Sequence, residues 1–171
     1  MRIRIFSVFL ALMLLCPSAQ AQTLTFSGLF SLTYDENIYA ADTNSWLDES
    51  DEDGRWLMML STDAYLFDAT ISRADGWEHV SLTDPGSAVT SWYLEDMSGS
   101  GFEYLDTLEA NGAVFGLFRA LDDDGEYLLG ETMANGWAIS FCAYYDDPER
   151  PADDGLLDAL KSLLQTYQPC R

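Results

Sequence analysis

Three turn dipeptides, Asn111-Gly112, Asp124-Gly125 and Asn135-Gly136, divide one stretch of the chain into four runs rich in strand-forming residues: FEYLDTL, AVFGLFRAL, EYLLGETM and WAISFCAYY. Asparagine, aspartate and glycine tolerate positive φ, which the tightest hairpin turns demand. Four such runs joined by three such turns predict an antiparallel meander. In the last run Trp137, Ile139, Phe141 and Tyr145 share one face, and Ser140, Cys142 and Tyr144 share the other. The meander should therefore have an apolar side and a more polar one.

What flanks the meander sets the fold class. Upstream, TLTFSGLFSLTY alternates over Thr23 to Tyr34 as a half-buried strand does, and WLMMLST and YLFDATIS read as two more strands. Arg73-Ala74-Asp75-Gly76 turns the chain into WEHVSLT, read as a strand. A helix is expected next, capped by Thr83 or Asp84 with Pro85 in its first turn. It carries Val89, Trp92, Tyr93 and Met97 at helical spacing and ends in SGSG at 98–101. The last segment places Asp153 and Asp154 at a helix start, where negative charge is favoured. Leu156, Leu157, Leu160, Leu163, Leu164 and Tyr167 then form a wide apolar stripe that Pro169 stops. The expected architecture is α+β: an antiparallel sheet with one inserted helix and one C-terminal helix docked on it.

The N-terminal residues MRIRIFSVFLALMLLCPSAQAQ have the marks of a signal peptide. Arg2 and Arg4 precede an apolar run from Ile5 to Leu15, Pro17 breaks it, and Ala19-Gln20-Ala21 offers a small-x-small cleavage site. The run is too short to cross a hydrocarbon core, which needs roughly 20 residues. Leu15 before Cys16 is too large for a lipid-attachment signal. Cleavage after Ala21 leaves residues 22–171 as a single exported domain, in a periplasm or outside the cell. Removing Arg2 and Arg4 leaves six of the eight basic residues against 29 acidic ones, a formal charge of −23. Long-range repulsion then disfavours nucleic acid and anionic membrane surfaces, and leaves a cationic partner such as a basic protein, divalent metal ions or simple solubility open. Cys142 and Cys170 survive cleavage, and an even count in an oxidising compartment predicts a disulfide. Closing that 28-residue separation would stabilise the fold by about 3–4 kcal/mol.

Catalytic signatures are scarce. His79 is the only histidine and sits between Glu78 and Val80 in an expected strand, so it reads as a surface residue rather than a metal ligand. No G-x-S-x-G elbow accompanies it. Lys161 is the only lysine; the residue three before it is Asp158, an ion-pair partner along the helix and not a nucleophilic serine. No cofactor motif is present. Two acidic stretches raise the question of calcium. Beginning at Glu49, the alternating ligands and Gly54 in sixth place suit an EF-hand, but the twelfth position is Leu60 where a bidentate glutamate belongs. Asp122-Asp123-Asp124-Gly125 fails in the same way, since Ala120 would hold the first position. Both read as solvated turns, with weak calcium binding as an alternative. A carboxylate-based hydrolase is a second alternative, and it requires a cleft that holds two acids with one of raised pKa. The candidate partner-binding residues are Tyr39 and Trp46, aromatic residues in the acidic 35–53 stretch, with Asp48, Glu49, Asp51, Glu52 and Asp53 around them.

The order of FSGLFSLTY, a meander ending in NGWAISFCAYY, and a closing LLDALKSLLQTYQ helix resembles the PsbP/Mog1-like α/β/α sandwich over most of the residues after the leader. That group includes photosystem accessory proteins, a nuclear transport factor and exported bacterial lipoproteins. The resemblance implies an accessory or binding role rather than catalysis, and names no ligand. The chain departs from the lipoprotein members in lacking the lipid-attachment signal. The sequence thus points to an exported, non-enzymatic binding domain that meets a protein or small ligand through an acidic surface containing aromatic residues.

Overall fold

A computed structural model describes residues 21–26, 29–42, 54–74 and 76–170. The signal peptide expected over 1–21 lies outside the described residues apart from Ala21, which begins the first strand.

The meander is present as expected. Strands β6 (Glu103–Ala110), β7 (Ala113–Asp122), β8 (Gly125–Ala134) and β9 (Trp137–Tyr145) are joined by tight turns. Asn111, Gly112, Gly125, Asn135 and Gly136 all adopt positive φ there, which explains the residue types at the three turns. Strands β3 (Ala40–Asp42), β4 (Gly54–Ser61) and β5 (Tyr65–Arg73) form a second antiparallel run. The two runs join where β5 pairs with β9, from Tyr65↔Tyr145 to Arg73↔Trp137. The result is a seven-stranded sheet in the order β3-β4-β5-β9-β8-β7-β6. The stretch read as one strand over Thr23 to Tyr34 is a hairpin, β1 (Ala21–Phe26) against β2 (Phe30–Asp35). Strand β10 (Gln168–Pro169) completes a three-stranded sheet on the other edge of β2.

Two helices accompany these sheets among the described residues, α1 (Ala88–Gly99) and α2 (Asp154–Leu164). Asp153 caps α2 by accepting from the Leu156 amide at 3.0 Å. Leu156, Leu160, Leu163 and Leu164 are buried as the stripe predicted. Each such leucine contributes about 1.5–3 kcal/mol of apolar burial. The helix lies on the sheet face that carries Phe115, Leu117, Ile139 and Phe141. Gly130 permits the approach, since a Cβ there would come within 2.6 Å of Leu164 Cδ1. Beyond the helix, Tyr167 is fully buried and stacks on Phe30 at 5.2 Å, so the hairpin closes over the same core. Pro169 does not stop a helix: α2 has already ended at Leu164, and Pro169 pairs with Phe30 as part of β10.

The opposite face of the seven-stranded sheet receives α1. Its Tyr93 clusters with Leu82, Val114 and Met133, and its Leu94 lies over Gly116. The cap is Ser87, whose Oγ accepts from the Thr90 amide, and not Thr83 or Asp84. Asp84 instead holds the preceding turn by accepting from the Gly86 amide. Trp92, expected on the buried stripe, is 61% exposed.

Three further expectations are corrected. WEHVSLT is not a strand. Bonds from Trp77 N to Ala74 O and from Val80 N to Trp77 O curl it into turns. Leu82 then enters between the separated ends of β7 and β8, accepting from Val114 N and donating to Met133 O. Lys161 reaches Asp106 on β6 at 2.7 Å rather than Asp158, because the helix lies across the sheet and offers a long-range partner. Cys142 and Cys170 are free thiols, not a disulfide. The alternation along β9 turns Cys142 away from α2, to the face of Ser140 and Tyr144. Cys170 follows β10 on the α2 side, its amide bonded to Leu29 O.

Candidate functional site

An open cavity of about 410 Å³ lies at the end of the sheet where the β7–β8 turn, the last residues of β9 and the middle of β5 meet. The pairing of β5 with β9 places Asp68 opposite Cys142, and Tyr144 follows on the same face of β9. Asp122, Asp124, Glu126 and Tyr127 enter from the turn and the start of β8; Asp147 and Pro148 close it from the loop after β9. Gly125 sets the turn against that loop. Its φ is +125°, and a Cβ there would lie 2.7 Å from the Pro148 carbonyl oxygen. A side chain at this position would push the acidic turn away from the cavity.

The electrostatics are one-sided. Five carboxylates line the cavity, and among the described residues no lysine or arginine does. Some of them are spoken for locally. Asp122 Oδ1 accepts from the Asp124 amide at 2.8 Å and Asp147 Oδ1 from the Glu149 amide at 3.1 Å. Glu126 accepts from the Ala152 amide at 2.8 Å and faces Arg119 Nε at 3.5 Å. Asp68 is only half satisfied. Its Oδ2 accepts from the Tyr144 hydroxyl at 2.7 Å, while its buried Oδ1 has no hydrogen-bond partner. Burial holds the Asp68 carboxyl above the usual carboxylate range, against the opposing effect of the Tyr144 bond.

The neighbouring groups respond to the same field. Burial first, then the charges of Asp68, Glu131 and Asp122, push the Cys142 thiol up to about 12. Burial and the bond to Asp68 push the Tyr144 phenol up. Burial, with Cys142 and Asp122 nearby, does the same for Tyr127. A thiol so far from ionisation is a poor nucleophile. The chemistry on offer is negative charge with the phenol rings of Tyr127, Tyr144 and Tyr145 beside it, a combination that attracts cations by charge and by ring quadrupole.

Of the residues chosen from the sequence as a partner surface, Trp46, Asp48, Glu49, Asp51, Glu52 and Asp53 lie outside the described residues. Tyr39 is described, and it packs inward, with its ring 6.0 Å from Phe67. Burial and the adjacent Tyr65 push its phenol up to about 12. It is half-buried, with its ring against the core and part of it at the surface. The Asp122–Gly125 turn, read as merely solvated, forms the rim of the cavity. Among the described residues no group of three or more His, Cys, Asp and Glu is placed to hold a metal ion, and no helix is long and apolar enough to cross a membrane. His79 is exposed in a turn.

Asp68, Glu126, Tyr127 and Asp147 were not singled out from the sequence. Asp68 had a readable signal, a carboxylate between Phe67 and Ala69 in an apolar strand. No family model matches the chain, and none of the curated proteins matches it.

Proposed function

We propose that this protein is a non-enzymatic binding domain that takes an alkylammonium or guanidinium group into the acidic cavity between the β7–β8 turn and β9. One observation carries the reading: five carboxylates and the rings of Tyr127, Tyr144 and Tyr145 line a space of about 410 Å³, with no basic side chain in its lining among the described residues. The group belongs either to a small polyamine or to a lysine or arginine side chain of a basic protein. Isothermal titration with spermidine and with an oligolysine peptide, at low and high salt, tests the reading and separates the two sources. Saturable binding that weakens with salt, and weakens about 3–10-fold in Asp124→Asn, is the expected result, equivalent to about 0.7–1.4 kcal/mol. Binding that ignores both salt and the substitution counts against it.

Export is part of the proposal and rests on the leader-like residues that precede Gln22. So is the PsbP/Mog1-like sandwich, for which the support is the packing of α1 and α2 on opposite faces of the seven-stranded sheet.

A hydrolase is the second reading, favoured by Asp68 alone. A carboxyl held above its usual range beside other carboxylates is the arrangement that general acid catalysis uses. Turnover of aryl glycosides that disappears in Asp68→Asn supports it; no turnover by the intact protein removes it.

A further inference from the structure

We infer that α1 is a lid over the polar face of the sheet, latched by the Tyr93–Glu131–Ser140 hydrogen bonds and released as the medium becomes less acidic. Glu131 is only 7% exposed. The Tyr93 hydroxyl donates to its Oε1 from α1, and the Ser140 hydroxyl donates to its Oε2 from β9 at 2.7 Å. Among the described residues no cation pairs with it, since the four ion pairs there all lie elsewhere.

The groups facing Glu131 only add to its isolation. From β7 the paired residue is Gly116, which has no side chain. From α1 comes the neutral Tyr93, while Glu95 and Asp96 of the same helix are exposed. From β9 come Ser140 and, two residues on, the thiol of Cys142. From β5 comes the carboxyl of Asp68, opposite Cys142. Glu78 and His79, in the segment leading to α1, are exposed. A proton on Glu131 is therefore the cheapest way to keep the carboxyl under the helix.

Of the two helices, α1 is the one built to move. Its buried residues are Thr90 and Tyr93, whereas α2 buries four leucines in the main core. Tyr93 sits in a small cluster with Leu82, Val114 and Met133, beside an edge contact to Trp77 at 5.7 Å and the bond to Glu131, and Val89 and Met97 add only partly buried contacts. Undocking α1 would let water reach Glu131 without disturbing the aromatic cluster under α2.

Burial holds the docked Glu131 carboxyl above its ordinary value of 4.5, against the opposing Ser140 bond. The docked form keeps the proton, its O–H donating to one of the two hydroxyl oxygens while the other hydroxyl still donates to the second carboxyl oxygen. The undocked form loses it at the ordinary value. Opening thus becomes easier as pH rises above about 4.5, up to tenfold per pH unit, and levels off past the docked value. Opening adds Glu131 and Ser140 to the polar strip that runs along β9 through Cys142 to the cavity. The lid is independent of what the cavity binds.

Hydrogen exchange of the intact protein at pH 4.5 and 7.5, corrected for the intrinsic pH dependence of exchange, tests the lid. Protection over residues 88–99 should fall between the two, while residues 113–122 hold constant. Glu131→Gln should abolish the fall. Ser140→Ala keeps the carboxyl but removes a bond that favours its charged form, so the fall should move to higher pH. A wild type with constant protection over 88–99, an equal fall over 113–122, or a fall that persists in Glu131→Gln overturns the inference. Should Glu131→Gln not fold, a Ser140→Ala midpoint that stays put or moves down overturns it equally.

Discussion

Asp68→Asn should stabilise the protein at neutral pH while weakening its cavity as a cation site. Asp68 is a half-buried carboxylate with one oxygen bonded to Tyr144 and the other without a partner. Leaving a buried polar group unsatisfied costs about 1–3 kcal/mol, and more when the group is charged. The water in the open cavity screens that cost, so about 1 kcal/mol is the appropriate figure. Asparagine retains an acceptor for the Tyr144 hydroxyl and removes the charge. For a chain of this size the gain corresponds to about 2–4 °C in Tm. The pH dependence has a definite sign. Because the folded-state pKa of Asp68 lies above 3.8, its stabilising contribution is complete below that value and is lost as pH rises through the folded pKa. The variant lacks this loss. The difference between variant and wild type should therefore be smallest below pH 3.8, widen above it, and become constant past the folded pKa. Differential scanning calorimetry at several pH values between 3.5 and 8 reads it directly. A variant less stable than wild type at pH 8, or a difference that does not change with pH, refutes the reasoning.

Tyr167→Phe should raise stability by about 1–2 kcal/mol, because the fully buried ring keeps its contacts with Phe30 and Phe115 while losing a hydroxyl that has no partner; a drop in urea-unfolding free energy contradicts this. Cys142, its thiol pushed up to about 12, should react with iodoacetamide at pH 8 at least 100-fold more slowly in the folded protein than in urea, since its thiolate fraction is about 10⁻⁴. Mass spectrometry of the labelled peptide reads the rate, and equal labelling in both states counts against the burial of this thiol.

The meander and the closing helix were legible because their signals are local. Asn111-Gly112, Asp124-Gly125 and Asn135-Gly136 announce their turns through backbone tolerance, and the leucines of α2 announce their face through period. The alternation of Ser140, Cys142 and Tyr144 against Ile139 and Phe141 even marked the polar side of β9 on which the cavity lies. What the chain concealed was non-local. Pairing between β5 and β9 joins residues 64 to 80 positions apart, and nothing in YLFDATIS states that Asp68 will face Cys142. The same limit misled the reading of WEHVSLT. Its β-like composition suits a strand, but Leu82 is used to separate β7 from β8 rather than to extend an edge. The disulfide expectation rested on cysteine count and compartment, and neither carries information about which side of a sheet a thiol occupies.

The role of the acidic turn was hidden for a related reason. With 29 acids in the chain, another run of aspartates has little meaning until Gly125 and Pro148 are seen to press it against the loop after β9. The cavity then depends on tertiary approach, with Gly125 and the odd carboxylate of Asp68 as its local traces.

Nuclear magnetic resonance titration of the isotope-labelled protein with lysine amide tests the central claim most directly. Saturable shifts concentrated at the amides of Gly125, Glu126, Cys142 and Tyr144, and lost at high salt, are the predicted result. Shifts spread evenly over the acidic surface, or none at these amides, contradict it.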